Sequence, residues 1–177
     1  MKEVLELNIF MTSGTPEFME KLRAKHAREQ MVMLHGDSTT VLLHETNGKT
    51  VFQTPRRFEV VASSGDFEEN GYFVFHYIPV ADEGRPVFEH RVKERANTLD
   101  AEPGFIAFRL LRPRDSDTYI FLTEWSGNQF YTMWKNASSF DHFLTAPTQT
   151  GANSTLHLFS GTPSLTTYIS KVKDDEA

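Results

Sequence analysis

The spacing of apolar and polar residues divides this chain of 177 residues into two parts. The first part begins with alternating apolar and polar residues, which are typical of a half-buried strand. A Thr-Pro pair then favours the start of a helix, and two short apolar runs flank the turn residues Gly-Asp-Ser. Pro55 is expected either to end a strand that carries Val51 and Phe52 or to place that strand at the edge of a sheet. We therefore expect a strand over residues 4–10, a helix from Thr15 to about Gln30, and a hairpin of strands over 31–34 and 40–44.

The second part, from about residue 70, alternates strand-like and helix-like patterns. Its strand-like runs are rich in aromatic and branched residues, and its two helical segments each carry an apolar stripe. The predicted stripes are Phe88, Val92, Ala96 and Leu99 in the first helix, and Phe130, Met133, Trp134 and Ala137 in the second. The expected strands are residues 72–80, 105–111, 118–125, 156–159 and 166–172, and the expected helices are 84–100, a second from about Asn128, and a short piece over 139–143.

The order of these elements is β-α-β-β-α-β, which is the split βαβ unit of the ferredoxin-like fold. A polar segment rich in turn residues, 63–71, indicates a junction. We therefore expect a β-rich extension with one helix over residues 1–65 and a ferredoxin-like α+β domain over residues 70–172. An open sheet of this kind carries helices on one face only, so its other face must also be covered. Pairing of two copies would cover it, which predicts a homodimeric α+β barrel.

The first strand of the ferredoxin-like domain has two distinct faces. Successive side chains of a strand point in opposite directions, so His76 shares a face with Val74 and Ile78. Phe73, Phe75 and Tyr77 share the other face. One face is expected to contact the helices, and the other is expected to contact the partner copy.

Composition narrows the compartment and the class of partner. The chain has no cysteine, which excludes disulfides, thiolate metal sites and cysteine nucleophiles and suits a reducing compartment. No signal peptide or transmembrane segment is predicted, so we expect a cytoplasmic location. The net charge of −6 argues against a nucleic-acid partner. The one basic cluster, Arg109, Arg112 and Arg114, is followed by the acidic Asp115 and Asp117.

Candidate chemistry is sparse. The sequence lacks a Gly-rich phosphate loop, an HExxH motif and a Gly-x-Ser-x-Gly elbow, and its seven histidines are dispersed. One stretch, with Trp134, Phe140, His142 and Phe143, combines an indole, two phenyl rings and an imidazole. Such a set is the minimum for binding a flat, iron-bearing macrocycle. The alternative is that these rings belong to an ordinary core and that His142 forms a local hydrogen bond.

Several longer stretches resemble a known family. They are residues 84–89 (GRPVFE), 102–105 (EPGF), 109–113 (RLLRP) and 115–119 (DSDTY), together with Trp125 and Trp134. These stretches resemble the antibiotic-biosynthesis-monooxygenase (ABM) domain in its IsdG-type haem-degrading form, of the two-part Bacillus kind, and the related TRAP-like proteins. The resemblance extends upstream to residues 44–52 and covers most of the chain.

The resemblance implies a haem site. In that family, haem is held by an Asn of the first strand, a Trp of the second helix and a His ten residues after that Trp. Here the Trp position is Trp134, the Asn position falls on Tyr77, and the His position falls on Leu144, with His142 two residues earlier. The implied roles are catalysis by Trp134 and Tyr77, iron ligation by His142 with the Tyr77 phenol as an alternative, and cofactor contacts from His142, Phe75 and Phe140.

Three functions remain open from the sequence. The resemblance implies a haem-binding protein, which is a haem-degrading monooxygenase if it is active. A TRAP-like signalling or stress-response protein without catalysis is the alternative, although the His positions that are modified in that group are Gly71, Gly84 and Asn153 here. The third is a cofactor-independent oxygenase that acts on a small aromatic substrate in the same cavity.

Overall fold

The computed structural model describes residues 6–137 and 158–170. These residues form an α+β protein in which eight strands close into a barrel, with three α-helices and two short 3₁₀ turns, Asp82–Gly84 and Leu99–Ala101. The strands are β1 (Asn8–Gly14), β2 (Met31–His35), β3 (Thr40–Thr46), β4 (Arg56–Ser64), β5 (Tyr72–Pro79), β6 (Phe105–Pro113), β7 (Thr118–Trp125) and β8 (Ser164–Ile169). The helices are α1 (Pro16–Lys25), α2 (Arg85–Ala96) and α3 (Asn128–Ala137).

The first helix and the hairpin follow from the local sequence. The Thr15 hydroxyl accepts a hydrogen bond from the backbone N–H of Phe18 at 3.3 Å, and Pro16 occupies the first turn of α1. The helix ends at Lys25, earlier than the predicted Gln30. The predicted hairpin is confirmed, because β2 and β3 pair antiparallel along their length.

The strands that flank this hairpin differ from the prediction. β1 lies four residues further along the chain than expected. Phe52 belongs to no strand, and β4 begins directly after Pro55 although no strand was expected there. A change of register between Val60 and Ala62 interrupts the alternation within β4. This irregularity is the reason that the pattern did not reveal the strand.

The C-terminal half has the predicted ferredoxin-like arrangement. Its strands lie in the order β8-β5-β7-β6, and all neighbours are antiparallel. The predicted stripe of α2 is confirmed, since Phe88, Val92, Ala96 and the following Leu99 are buried in one cluster with outward-facing residues of the sheet. Residues of α3 join the same cluster. The two helices therefore cover a single face, as the α+β ferredoxin-like fold requires.

The N-terminal half repeats this strand order. Its strands lie in the order β4-β1-β3-β2, so each has the same place as its counterpart in the series β8-β5-β7-β6. The helix α1 follows the first strand as α2 does, whereas a loop replaces the second helix between β3 and β4. The barrel closes where β2 pairs with β8 and where β4 pairs with β6. The chain thus supplies two ferredoxin-like sheets by itself, and the division into domains at residues 65–70 stays a prediction.

This closure takes the place of the partner copy that we expected against the sheet. Phe73 and Phe75 of the C-terminal sheet pack against Ile9, Leu34 and Leu43 of the N-terminal strands. The inner face is therefore buried within one chain, and a second copy is not needed to remove it from water. The α+β barrel is intramolecular. The homodimer stays a prediction, but the need to cover the inner face of the sheet is no longer a reason for it.

Replacing Gly65, between β4 and β5, with alanine is expected to destabilise the protein by roughly 2 kcal/mol. Its φ is +72°, and an added Cβ would collide with the carbonyl oxygen of Ile106 on β6. Gly48→Ala is the matched control, because a Cβ there would meet only the Thr46 hydroxyl at 3.6 Å. Urea unfolding measures both variants, and equal losses of stability would contradict this explanation.

Candidate functional site

The aromatic residues of α3 lie on the outer face of the C-terminal sheet. Tyr131 and Trp134 are buried there, and the Trp134 ring centroid lies 5.4 Å from that of Trp125 at the end of β7. The predicted stripe of this helix is only partly right, since Trp134 is buried whereas Met133 is 60% exposed. The buried side of α3 is defined by Tyr131 and Trp134, three residues apart.

His76 of β5 faces the same aromatic residues. Its side chain is buried, and its Nε2 lies 3.2 Å from the Tyr131 hydroxyl. The imidazole also lies 5.9 Å from the Tyr131 ring and 6.4 Å from the Phe121 ring, measured between centroids. We name this group, which consists of His76, Phe121, Trp125, Tyr131 and Trp134, the outer cluster.

Tyr77 and Phe75 point away from the outer cluster. Both belong to the packing of the barrel interior, with their ring centroids 6.3 Å apart. The two residues predicted to be catalytic, Trp134 and Tyr77, therefore lie on opposite faces of the sheet, and the structure does not bring them together. Because successive strand residues alternate in direction, a shift of one residue places a side chain on the opposite face. His76, directly before Tyr77, is the residue that shares a face with Trp134.

Phe140 and His142, which the resemblance implies for cofactor contact and iron ligation, lie outside the described residues, as does Leu144. Their roles stay predictions.

Three members of the outer cluster, His76, Phe121 and Tyr131, were not indicated by the sequence motifs. The alternation in β5 already grouped His76 with the apolar Val74 and Ile78 on one face. Trp134 belongs to a helix that packs on one face of the sheet. Its buried side chain must therefore point towards that face. These two signals together could have identified His76, whereas the motif position alone indicated Tyr77.

Two arginines of the basic cluster, Arg109 and Arg112, form ion pairs. Arg109 is 3% exposed, and its Nε lies 2.7 Å from Oε2 of Glu45. Arg112 pairs with Glu59 at 3.0 Å and with Glu89, and the hydrogen bond with Glu89 is the main reason that its pKa is raised above the usual value. These two guanidinium groups therefore bind carboxylates of the fold instead of presenting charge to a phosphate backbone.

The family comparison concerns the half of the chain that contains this site. Residues 71–146 match the family model described as antibiotic biosynthesis monooxygenase. Residues 71–146 are thus similar to an ABM domain. The matched segment contains β5 through α3 and therefore every residue of the outer cluster, whereas the N-terminal repeat lies outside it.

Curated relatives of this chain have two kinds of name. A heme-degrading monooxygenase from Listeria monocytogenes is 26% identical over 129 residues, which cover 73% of this chain and 77% of the relative. The signal transduction protein TRAP from Staphylococcus aureus is 25% identical over 136 residues, which cover 76% of this chain and 81% of the relative. The resemblance inferred from the motifs is thus confirmed, but the two names receive nearly equal support.

Solved structures agree with the fold. The structure described as a major regulator of staphylococcal pathogenesis has a TM-score of 0.78 at 21% identity and covers 92% of this chain and 98% of its own. The heme-degrading enzyme LmHde from Listeria monocytogenes has a TM-score of 0.72 at 22% identity, with the same coverage. At these identities the match shows the fold alone.

Among the helices of residues 6–137 and 158–170, none is long and apolar enough to span a membrane.

Proposed function

We propose that this ABM-domain protein binds haem at the outer cluster and oxidises it when oxygen and a reductant are present. The observation that carries the proposal is the position of His76, Tyr131 and Trp134 together on the helix-covered face of the sheet. The resemblance implies that haem lies between this face and the helices. The relative named heme-degrading monooxygenase supports the same activity.

The chemistry of the outer cluster fits haem. Imidazole and phenol are side chains that ligate haem iron in other proteins, and here the Nε2 of His76 and the hydroxyl of Tyr131 are 3.2 Å apart. The indoles of Trp125 and Trp134, whose ring centroids lie 5.4 Å apart, make the surroundings of these two groups apolar. In our proposal His142 keeps the role of iron ligand, and Tyr77 loses it because its side chain enters the barrel interior.

When bound, haem would supply the iron at which oxygen is reduced with electrons from an external donor, and the haem ring would be the group that is oxidised. The side chains of the protein contribute shape, orientation and exclusion of water, and not the redox chemistry itself. Trp134 limits the space available to the ring, the hydrogen bond between Tyr131 and His76 orients the imidazole, and the buried surroundings exclude water. A cytoplasmic location, where reductants are available, and the predicted homodimer belong to the same proposal.

An absorbance titration with haem tests the proposal. The wild-type protein is expected to give a saturable shift of the Soret band. His76→Ala is expected to weaken haem binding about 10- to 100-fold, because the imidazole and its hydrogen bond with Tyr131 are lost from the proposed site. His142→Ala is expected to remove the spectrum of imidazole-ligated iron. Tyr77→Phe is the matched control on the same strand, and its affinity should equal that of the wild type. Ascorbate under air should then bleach the band and yield a ring-opened product.

The opposite results would favour other functions. A wild-type protein without a saturable Soret shift would contradict haem binding and would favour the TRAP-like function, which the relatives of that name support. Binding of a small aromatic compound without haem affinity would favour the cofactor-independent oxygenase. An equal loss of affinity in Tyr77→Phe and His76→Ala would contradict the placement of haem at the outer cluster.

A further inference from the structure

A concave site lies at one end of the barrel, on the opposite side of the sheet from the outer cluster. It is formed where β1 and β5 end and where β3 and β4 begin, and its volume is about 440 Å³. Cavities of this size accept small molecules. We name it the barrel-mouth cavity. Its lining combines the guanidinium of Arg56, the phenols of Tyr77 and Tyr168, four Ser and Thr hydroxyls, and an apolar part that includes Met11 and Phe75.

We infer that the barrel-mouth cavity binds a small aromatic monocarboxylate. Arg56 is the one charged side chain among the described residues that line it, and no carboxylate is among them. A single cation with neutral hydroxyl donors around it is complementary to one negative charge. The rings of Phe75 and Tyr168, with centroids 4.9 Å apart, provide aromatic surface for the body of the ligand.

The position of Arg56 favours an anion at the entrance of the cavity. Its guanidinium carbon lies 5.3 Å from the centroid of the Phe58 ring, which belongs to the barrel interior. This stacking holds the charge at the interior side of β4. Arg57, the next residue, stacks instead on Phe10 at 5.8 Å and donates from Nε to the Asn8 side chain at 3.3 Å. The two neighbouring arginines therefore serve opposite faces of the strand.

Tyr168 adds a hydroxyl donor beside that charge. Burial, followed by the neighbouring Tyr77 phenol, raises the pKa of Tyr168 to about 12. The Tyr168 hydroxyl therefore keeps its proton at neutral pH and can donate a hydrogen bond to a carboxylate. This site gives Tyr77 and Phe75, which the sequence motifs linked to haem, a binding role inside the barrel that is independent of the outer cluster.

Isothermal titration calorimetry with 2-naphthoate tests the inference, and the neutral 2-naphthylmethanol serves as the matched ligand. The wild-type protein is expected to bind one naphthoate and to bind the alcohol at least about 5-fold more weakly. Arg56→Gln is expected to weaken naphthoate binding about 5- to 10-fold and to abolish the preference over the alcohol. Tyr168→Phe should weaken it about 3-fold because one donor is lost. Arg57→Gln should leave the affinity unchanged.

Several results would overturn the inference. They are the absence of naphthoate binding at millimolar concentration, equal affinity for the acid and the alcohol, and equal effects of Arg56→Gln and Arg57→Gln. If Arg56→Gln fails to fold by circular dichroism, the Tyr168→Phe variant and the comparison of the two ligands decide the matter. His76→Ala separates this site from the proposed haem site, since naphthoate binding should survive that change, and its loss would overturn the assignment to the barrel mouth.

Discussion

The Glu124→Gln variant is expected to gain roughly 3 kcal/mol of stability relative to the wild-type protein as the pH rises from about 6 to about 9. Glu124 of β7 is fully buried, and burial raises the pKa of its carboxyl from 4.5 to about 8. The folded protein therefore keeps a proton that the unfolded chain releases. The stability linked to this proton is fully present below about pH 4.5 and is lost as the pH rises to about 8. Glutamine has no such proton to lose.

The surroundings of Glu124 explain why ionisation is unfavourable. Its Oε1 accepts a hydrogen bond from the backbone N–H of Glu68 at 2.8 Å. Its Oε2 has no hydrogen-bond partner within the described part of the chain, and Gly71 packs directly against it. The Glu68 carboxylate repels the charge further, while Arg109 partly offsets this repulsion. A charge formed here would be poorly solvated.

Urea unfolding at several pH values between about 6 and 9 measures this effect as the difference in unfolding free energy between variant and wild type. Taking the difference removes the contributions of groups that both proteins share. Glu83→Gln, at an exposed position in the 3₁₀ turn before α2, is the control and should show a constant difference. A constant difference for Glu124→Gln as well would contradict the raised pKa.

The Arg109→Met variant is expected to lose about 3–5 kcal/mol of folding stability. The guanidinium of Arg109 binds both carboxylate oxygens of Glu45, at 2.7 Å and 3.3 Å, and the two side chains are 4% and 9% exposed. Removal of the arginine would leave a buried carboxylate without its cation. The pair joins β6 of the C-terminal half to β3 of the N-terminal half, so the loss should be visible in the unfolding of the whole barrel.

A double-mutant cycle tests this account. Arg109→Met combined with Glu45→Leu is expected to recover most of the lost stability, because neither buried charge is then left unpaired. Arg23→Met breaks the more exposed pair with Glu69 and should cost less than about 1 kcal/mol. Chemical denaturation of the wild type, Arg109→Met, Glu45→Leu and the double variant gives the coupling energy. A double variant as unstable as Arg109→Met would show that packing, and not charge pairing, dominates at this position.

Much of the fold was predictable from near neighbours in the sequence. The β2–β3 hairpin, the buried stripe of α2 and the bounds of β7 depend on turn residues and on periodicity, which a short window contains. β4 was missed because its irregular pairing hides the alternation. The repeat of the strand order was also not evident, since the N-terminal half lacks the second helix that would have revealed it.

The candidate site was predictable only in part. Trp134 is buried on the helix-covered face, as its motif implied. The motif position on β5 falls on Tyr77, whose side chain enters the barrel interior, whereas His76 faces the outer cluster. A one-residue difference is small in a motif but decisive in a strand, because it exchanges the two faces of the sheet.

The sequence by itself determined the order of the ferredoxin-like elements and the ABM resemblance of the C-terminal half, since both are encoded in local periodicity and short motifs. Only the tertiary structure decided that the N-terminal half covers the inner face of the sheet, that His76 shares the outer face with Trp134, and that Arg109 meets Glu45. Each of these results depends on residues far apart in the chain. They come into contact only when the barrel closes, and the register of that closure is set by the packing of both halves together.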